Sequence, residues 1–401
     1  MSGPLADVRV IDFCWVGAGS FATKILADHG ADVIKIESRA KVDGLRLSPP
    51  FAGGEPGINR SGYFADRNSS KRSMALNLRH AAGREIAARL CADADVIANN
   101  FTPGVMERFG LGPARIAAIN PRAVYLSMST HGSTGPYRDH IGYGSTIAAL
   151  AGLHGLIGER AEPPTGTGTN YADHIPNPTH AAFAVLAALR HRELTGEGQF
   201  IDLAQVEPTV AMIGAAVLEA TALGIDPVRS GNSHPAHAPH GVYRCVGDDA
   251  WVAIAVTSDD QWESLCRVLD LDRVPEWSRS EARLAAADAV DRAVSQAVAT
   301  IDTLAVVSDL RAAGVPAAAV ADAAAVLADE QLNARGHWQY LDHPEMGRTV
   351  YASPPFRLSA TPGALRGPAP MLGEHTDEIC RDLLGLTGEE IQRLTAEQVL
   401  W

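Results

Sequence analysis

The chain is short of several features, and each shortage excludes a class of function. No apolar run reaches the ~18 residues that a membrane-crossing helix needs. The opening MSGPLADVRVIDF has neither the basic start nor the apolar core of a secretory signal. Cys14, Cys91, Cys245, Cys266 and Cys380 are scattered, odd in number and form no C-x-x-C. A disulfide framework is therefore not expected, and a reduced cytoplasm is the expected compartment. Positive charge is in deficit, with 34 Lys and Arg against 47 Asp and Glu and a net charge of -13. That balance argues against nucleic acid as the main partner, and an anionic ligand would need a local basic patch. No internal repeat is present, and the alanine-rich runs read as helix.

What the chain does contain is ordinary globular composition, 46% hydrophobic and 20% charged over 401 residues. That length suggests two or three domains. The first 130 residues alternate strand and helix. VRVIDF (8–13) reads as a strand, residues 20–29 as a helix closed by Gly30, and ADVIKIE (31–37) as a strand. An irregular Gly/Pro-rich stretch follows. GREIAARLCA then reads as helix, DVIANN as strand, PARIAAI as a short helix and AVYLSMS as strand. This rhythm predicts a parallel sheet covered by helices, an α/β fold with a Rossmann-like large domain.

Further on, NPTHAAFAVLAALRHRELTG predicts a helix capped by Asn177, with Pro178 at its first position. Ala182, Phe183, Leu186 and Leu189 recur at helical spacing and are expected to face the core. Gly196 ends this helix and GQFIDL reads as a strand. After a helical segment at 208–224 comes the loop-like DPVRSGNSHPAHAPHG. GVYRC and AWVAIAV then flank Gly247-Asp248-Asp249 as a hairpin. Trp251 and Trp262 are read as core residues of this part. The expected organisation is a large domain at 1–200, a linker at 201–234, a small α+β domain at 235–325, and a returning segment at 326–401. That segment has a turn-rich middle and a final amphipathic helix.

Gly17-Ala18-Gly19-Ser20-Phe21-Ala22 matches G-x-G-x-x-[GA] between a strand and a helix, and Glu37 ends the next strand about 20 residues on. Spacing alone keeps a nicotinamide or flavin oxidoreductase open. One detail is off: Cys14, Trp15 and Val16 separate the strand from Gly17, where the fingerprint glycine normally makes the turn directly. His234, His237 and His240 stand at three-residue spacing, but prolines break any helix that would align them. The preferred reading there is a linker or lid, with no metal. Asp173 is a lone acid just ahead of a helix, with only His174 as a basic neighbour. Taken alone, it reads as a helix cap.

Seven separated stretches, in order, resemble the family III CoA-transferases, which include formyl-CoA:oxalate and carnitine CoA-transferases. They are VIDF…VGAGSFATKILADHGADVIKIE, NSSKRSMALNL, ANNFTPGVMERFGLG, YLSMSTHGSTGPYRDHIGYG, YADH…AALRHRELTGEGQFIDL, GVYRCVGDDAWVAIAV and LGEHTDEI. The resemblance spans nearly the whole chain. It implies a Rossmann-like half that holds the ADP part of CoA rather than NAD. It also implies an interlocked, ring-like homodimer, with the active site between a large domain and the partner's small domain. A heteromer with a paralogue is the alternative assembly. Acyl-CoA and a carboxylic acid are the implied substrates, succinyl-CoA being a common donor in the family, with no permanently bound cofactor.

In the resemblance Asp173 is the catalytic carboxylate, forming an acyl-aspartyl anhydride and then an aspartyl-CoA thioester. The racemase branch pairs this acid with a histidine. Here Tyr143 occupies that position and His140 is out of register, so transfer is favoured over epimerisation. A non-catalytic CoA-binding subunit is a third reading, and retention of Asp173 weighs against it. The CoA contacts carried over are Val16 and Gly17 near the thioester, with Gly17 replacing a glutamine of formyl-CoA transferase. Leu76 and Arg79 are placed near the adenine and phosphates, Asn100 and Phe101 at the nucleotide turn, and Arg108 on a phosphate. Lys71, Arg72 and Arg138 are added for local positive charge. Arg39 is a substitute for an arginine where this chain has Ser38. The family's glycine-rich lid has no counterpart. The wording of YADH…IDLAQVE and APHGVYRC leans towards larger organic or aromatic acids rather than oxalate.

Overall fold

The computed structural model describes residues 3–401. They form two compact units, one of residues up to His154, Thr167–Asp226 and Gln331–Trp401, the other of Gly155–Gly166 and Pro227–Glu330. Among the described residues, no single helix is long and apolar enough to cross a membrane.

The first unit is built on a six-stranded sheet of β1 (Arg9–Asp12), β2 (Asp32–Glu37), β3 (Arg72–Ala75), β4 (Val96–Asn99), β5 (Val124–Ser127) and β6 (Phe200–Asp202). Their spatial order is β3-β2-β1-β4-β5-β6, and every pairing is parallel. Parallel strands buried on both faces favour apolar residues, supplied here by Val10, Ile11, Val33, Ile34, Ile36, Val96 and Ile97, but Asp12, Lys35 and Glu37 are buried among them. One face is covered by α1 (Val16–Asp28) and the helix Pro176–Thr195, through Ala22, Leu26, Ala181, Val185 and Ala188. The opposite face is covered by the helix Ala81–Ala92 and by the C-terminal segment, through Ile86, Leu90, Ile379, Cys380 and Ile391. The order reverses at β1 and β4, so the crevice above their carboxyl ends is where such a sheet binds ligands.

Several sequence expectations change. Helix α1 starts at Val16, four residues early, because Gly17 and Gly19 fit inside it where larger residues would not. A Cβ on Gly19 would stand 2.7 Å from the Cys14 side chain. Strand β3 arises from the stretch read as irregular, and so does the helix Gly62–Asn68. The helix Pro176–Thr195 starts earlier than expected. Pro176 lies at its start, and Asn177 is inside the first turn, buried, with both amide atoms unpartnered. Phe183 is 72% exposed and Leu186 44%, so they do not face the core. The face against the sheet and α1 is made of small residues, which lets the helices approach closely.

The second unit pairs β7 (His240–Arg244) with β8 (Trp251–Ala255) as an antiparallel hairpin, and β9 (Ala317–Ala319) joins β8 antiparallel. Trp262 is in its core, whereas Trp251 is only half-buried and donates its indole N–H to Asp249 at 2.7 Å. The returning segment of the first unit carries a hairpin not foreseen from its turn-rich sequence, β10 (Trp338–His343) with β11 (Gly347–Ala352).

Candidate active site

Above the carboxyl ends of β1 and β4 lies a cavity of about 490 Å³. Asp173 lines it from a one-turn helix, Tyr171–His174. Two backbone segments close on its carboxylate. A Cβ on Gly17, at the start of α1, would stand 3.0 Å from the Asp173 Cβ and 3.2 Å from Oδ2. A Cβ on Gly144, the first residue of the helix Gly144–Leu150, would stand 2.7 Å from the same Oδ2. Only glycine lets both chains approach so closely.

Asp173 is 5% exposed. Burial raises its pKa from 3.8 to about 6, against the opposing pull of Arg67 and a hydrogen bond from the Gly144 N–H. Such a carboxylate is ionised at neutral pH yet poorly solvated, which is the state a nucleophile needs. Its neighbour His174 is held between Tyr63 Oη at 3.0 Å and Thr169 Oγ1 at 2.9 Å. Burial, helped by Arg67, lowers the His174 pKa to about 4, so the ring stays neutral.

Val16 holds φ at 58°. A β-branched residue in the left-handed region is strained, at a cost of about 1–3 kcal/mol, and such strain clusters at functional sites. The first N–H groups of α1, at Gly17 and Ala18, have no acceptor within the helix. Gly17 abuts Asp173 and Ala18 lines the same cavity, so these groups suit a developing oxyanion.

Of the residues named from sequence, Val16, Gly17, Leu76, Arg79, Asn100, Phe101, Arg108, Arg138, Tyr143 and Asp173 all line the cavity. Arg79 and Arg108 are exposed at its edge and make no ion pair with a carboxylate among the described residues. Phe101 meets Trp15 edge-on, with ring centroids 5.7 Å apart. Arg138 instead pairs with Asp139 at 3.5 Å. Asn100 also directs its amide elsewhere. Its Oδ1 accepts from the Trp15 N–H at 2.8 Å and its Nδ2 donates to the Trp15 carbonyl at 2.6 Å. Tyr143 precedes the helix at Gly144, where its N–H bonds Thr146 Oγ1 at 2.8 Å and its ring is exposed. His140 lines the cavity too, stacked on Tyr137 at 5.1 Å.

Three named residues are not in the cavity wall. Lys71 is buried and bonds Asp12 Oδ2 at 3.0 Å, Thr23 Oγ1 at 2.8 Å and Asn68 Oδ1 at 2.9 Å. Arg72 sits on the edge strand, bonded to Asp32 and to Glu378. Arg39 lies over the Trp401 ring. The first two charges are neutralised inside the fold, because Asp12 and Asp32 lie across the sheet from them. Lys41 takes the place expected of Arg39. It lines the cavity with its ammonium 5.2 Å from the Trp15 ring, and sequence reasoning passed over it for its neighbour.

The dinucleotide reading fails at Glu37. Its carboxylate is buried, bound by Arg46 through Nε at 2.8 Å and Nη2 at 2.7 Å, and accepts from Ser73 Oγ at 2.7 Å. Although Glu37 touches the cavity wall, both its oxygens are engaged and it is 2% exposed, so it is committed to the fold rather than offered to a ribose. In the second unit the His234 and His237 rings stack at 4.6 Å, and among the described residues no group of three His, Cys, Asp or Glu is arranged to hold a metal ion.

Comparison with known proteins agrees with this geometry. The model of CoA-transferase family III matches residues 5–376. The beta subunit of succinyl-CoA–L-malate CoA-transferase from Chloroflexus aurantiacus is 33% identical over 99% of this chain and 98% of its own. Succinyl-CoA:mesaconate CoA-transferase from Haloarcula hispanica is 33% identical over 94% of this chain and 96% of its own. A CAIB/BAIF family protein from Brucella suis superposes with a TM-score of 0.88 at 31% identity, covering 96% of this chain and all of that one. With a parallel sheet, a crevice at its switch point and a matching family model across almost its whole length, the chain belongs to CoA-transferase family III.

Proposed function

We propose that this enzyme moves CoA from succinyl-CoA to a short dicarboxylic acid, using Asp173 as a covalent nucleophile. The observation that carries the reading is the buried Asp173 carboxylate, with its pKa raised to about 6, in the wall of a cavity edged by unpaired arginines. Succinyl-CoA is the donor named for relatives acting on L-malate, D-citramalate and mesaconate. These acceptors are organic acids larger than oxalate, and they favour the organic over the aromatic alternative.

The chemistry follows from the groups at hand. An Asp173 oxygen attacks the thioester carbonyl, the C–S bond breaks, and CoA leaves as thiolate with a succinyl-aspartyl anhydride behind it. The thiolate returns to the aspartyl carbonyl, giving an aspartyl-CoA thioester and releasing succinate. The acceptor carboxylate attacks that thioester, and a second return of thiolate delivers the new acyl-CoA and frees Asp173. Each step exchanges one activated acyl group for another. The tetrahedral oxyanions fall beside the Gly17 and Ala18 N–H groups. Arg79, Arg108 and Lys41 supply the positive charge that the CoA phosphates need.

We also infer an interlocked pair of chains. Phe183, Leu186 and Leu194 are exposed on one helix, and Leu218 and Leu223 on another, and large apolar side chains left bare in this way suit a protein partner. Some relatives are alpha and beta subunits, so a paralogue is the alternative partner. Light scattering on the purified chain distinguishes a monomer from a dimer.

The test of the activity is a panel of carboxylic acids with succinyl-CoA, with products read by mass spectrometry. New CoA thioesters of dicarboxylic acids are expected. Solvent-deuterium incorporation at the α-carbon of an acyl-CoA, with no new thioester formed, would instead establish the racemase reading.

A further inference from the structure

The turn between β1 and α1, residues Cys14 to Val16, is not held by backbone ladders. The Cys14 N–H donates to Asp12 Oδ1 at 2.9 Å, and the Cys14 carbonyl accepts from Lys35 Nζ at 2.6 Å. Both backbone polar groups of Trp15 are bonded by the Asn100 amide. The Val16 N–H donates to Asp43 Oδ1 at 3.0 Å, an oxygen that also accepts from the Leu45 N–H at 3.0 Å. Lys35 Nζ stands 3.0 Å from Asp43 Oδ2, so Lys35 and Asp43 form a buried ion pair beside the Asp12–Lys71 pair. Asp12, Lys35 and Asp43 are at most 1% exposed.

This is a costly construction for a turn. Two carboxylates and the two ammonium groups that pair with them have been removed from water, which a plain αβ connection does not require. What they fix is the left-handed Val16 and, one residue later, the amide that abuts Asp173. Asp43 itself does not line the cavity, so it has no route to a substrate except through the turn.

We propose that Asp43, braced by Lys35, is a positioning residue for the transfer reaction. By holding the Val16 N–H it keeps Val16 left-handed and aims the free N–H groups of α1 at the carbonyl that Asp173 attacks. Asn100 and Asp12 hold the two preceding residues to the same end. The inference rests on the Asp173 reading and adds the device that makes that carboxylate's surroundings rigid. Preorganised donors of this kind contribute only when their direction is fixed before the charge develops.

The experiment mixes the full-length protein with succinyl-CoA and no acceptor, and follows the CoA adduct on Asp173 by intact mass in single turnover. Asp43→Ala is expected to form the adduct roughly 10²-fold more slowly per folded molecule, the usual effect of an ~1 Å misplacement. Asp43→Asn keeps a side-chain oxygen for the Val16 N–H and is expected within about fivefold of the parent. Val16→Gly in the Asp43→Ala background removes the need to force a side chain into positive φ, and is expected to recover about tenfold.

Should Asp43→Ala fail to fold, the paired change of Lys35→Met with Asp43→Leu removes both charges together and leaves neither unpaired. It must then melt near the parent and still acylate slowly. Parental acylation in Asp43→Ala or in the paired variant overturns the proposal. So do equal losses in Asp43→Ala and Asp43→Asn with no recovery on adding Val16→Gly. Absence of any adduct on Asp173 in the parent is a different failure, that of the Asp173 reading itself.

Discussion

Asp173→Asn should end turnover and, at the same time, stabilise the fold. Burial lifts the Asp173 pKa from 3.8 to about 6, so the folded protein prefers the protonated acid. In the unfolded chain the group titrates near its ordinary value. The folded state therefore carries no penalty below pH 3.8, an increasing one between pH 3.8 and 6, and a constant one above. A rise of that size corresponds to about 3 kcal/mol at pH 7.5. Asparagine is neutral at every pH, nearly isosteric, and its side-chain carbonyl can still accept from the Gly144 N–H. For a chain of this length that is a gain of roughly 3 °C in Tm if it unfolds as one unit. Thermal denaturation of both proteins from pH 4 to 8 measures it. The two curves should converge near pH 4, separate through pH 6 and run parallel above. A variant that melts at or below the parent at pH 7.5 refutes the argument that Asp173 is held against a desolvation penalty.

The same pKa governs catalysis, since only the carboxylate attacks. The kcat/KM for the donor should fall about tenfold per pH unit below pH 6, with a single-proton slope, because His174 remains neutral down to about pH 4. A two-proton slope would mean that a second group takes part. Gly144→Ala places a methyl group against Asp173 Oδ2 and should reduce kcat by on the order of 10²-fold. Its far-ultraviolet spectrum should remain parental, because Gly144 begins a helix that alanine also favours. Arg79→Ala and Arg108→Ala should each raise KM for acyl-CoA by about threefold to tenfold, with less effect in high salt, as expected for exposed charges facing phosphates. A change in kcat with KM unaltered would remove these arginines from CoA binding.

The alternation of strands and helices was legible because β-branched Val and Ile cluster in strands such as DVIKIE and VIAN, even though the first also carries the charges of Asp32, Lys35 and Glu37. Strand β3 was not, since its RSMA has no β-branched or aromatic residue and follows a stretch rich in glycine and proline. The reading of Lys71 and Arg72 as ligand-binding charge fails for a related reason. Local sequence displays the positive groups but not Asp12 and Asp32, which the sheet brings in from 59 and 40 residues away. The helical period of Phe183 and Leu186 was real, but it marks an exposed apolar face, and period alone does not tell a core from a surface that meets another chain. Asp173 was reached through resemblance. Its own neighbourhood, one acid beside one histidine, carries no sign of the two glycines that press on it, Gly17 and Gly144, from 156 and 29 residues earlier. The buried Lys35–Asp43 pair was invisible because neither residue has its partner within a helical turn or on an adjacent strand.

The account depends on one bond forming at one oxygen. Incubation with succinyl-CoA, a borohydride or hydroxylamine quench and peptide mapping tests it most directly. The peptide containing Asp173 should carry the trapped aspartyl product in the parent, and the Asp173→Asn protein should carry none and be inactive. Transfer that continues in Asp173→Asn, or full activity with no modification of that peptide, would contradict it.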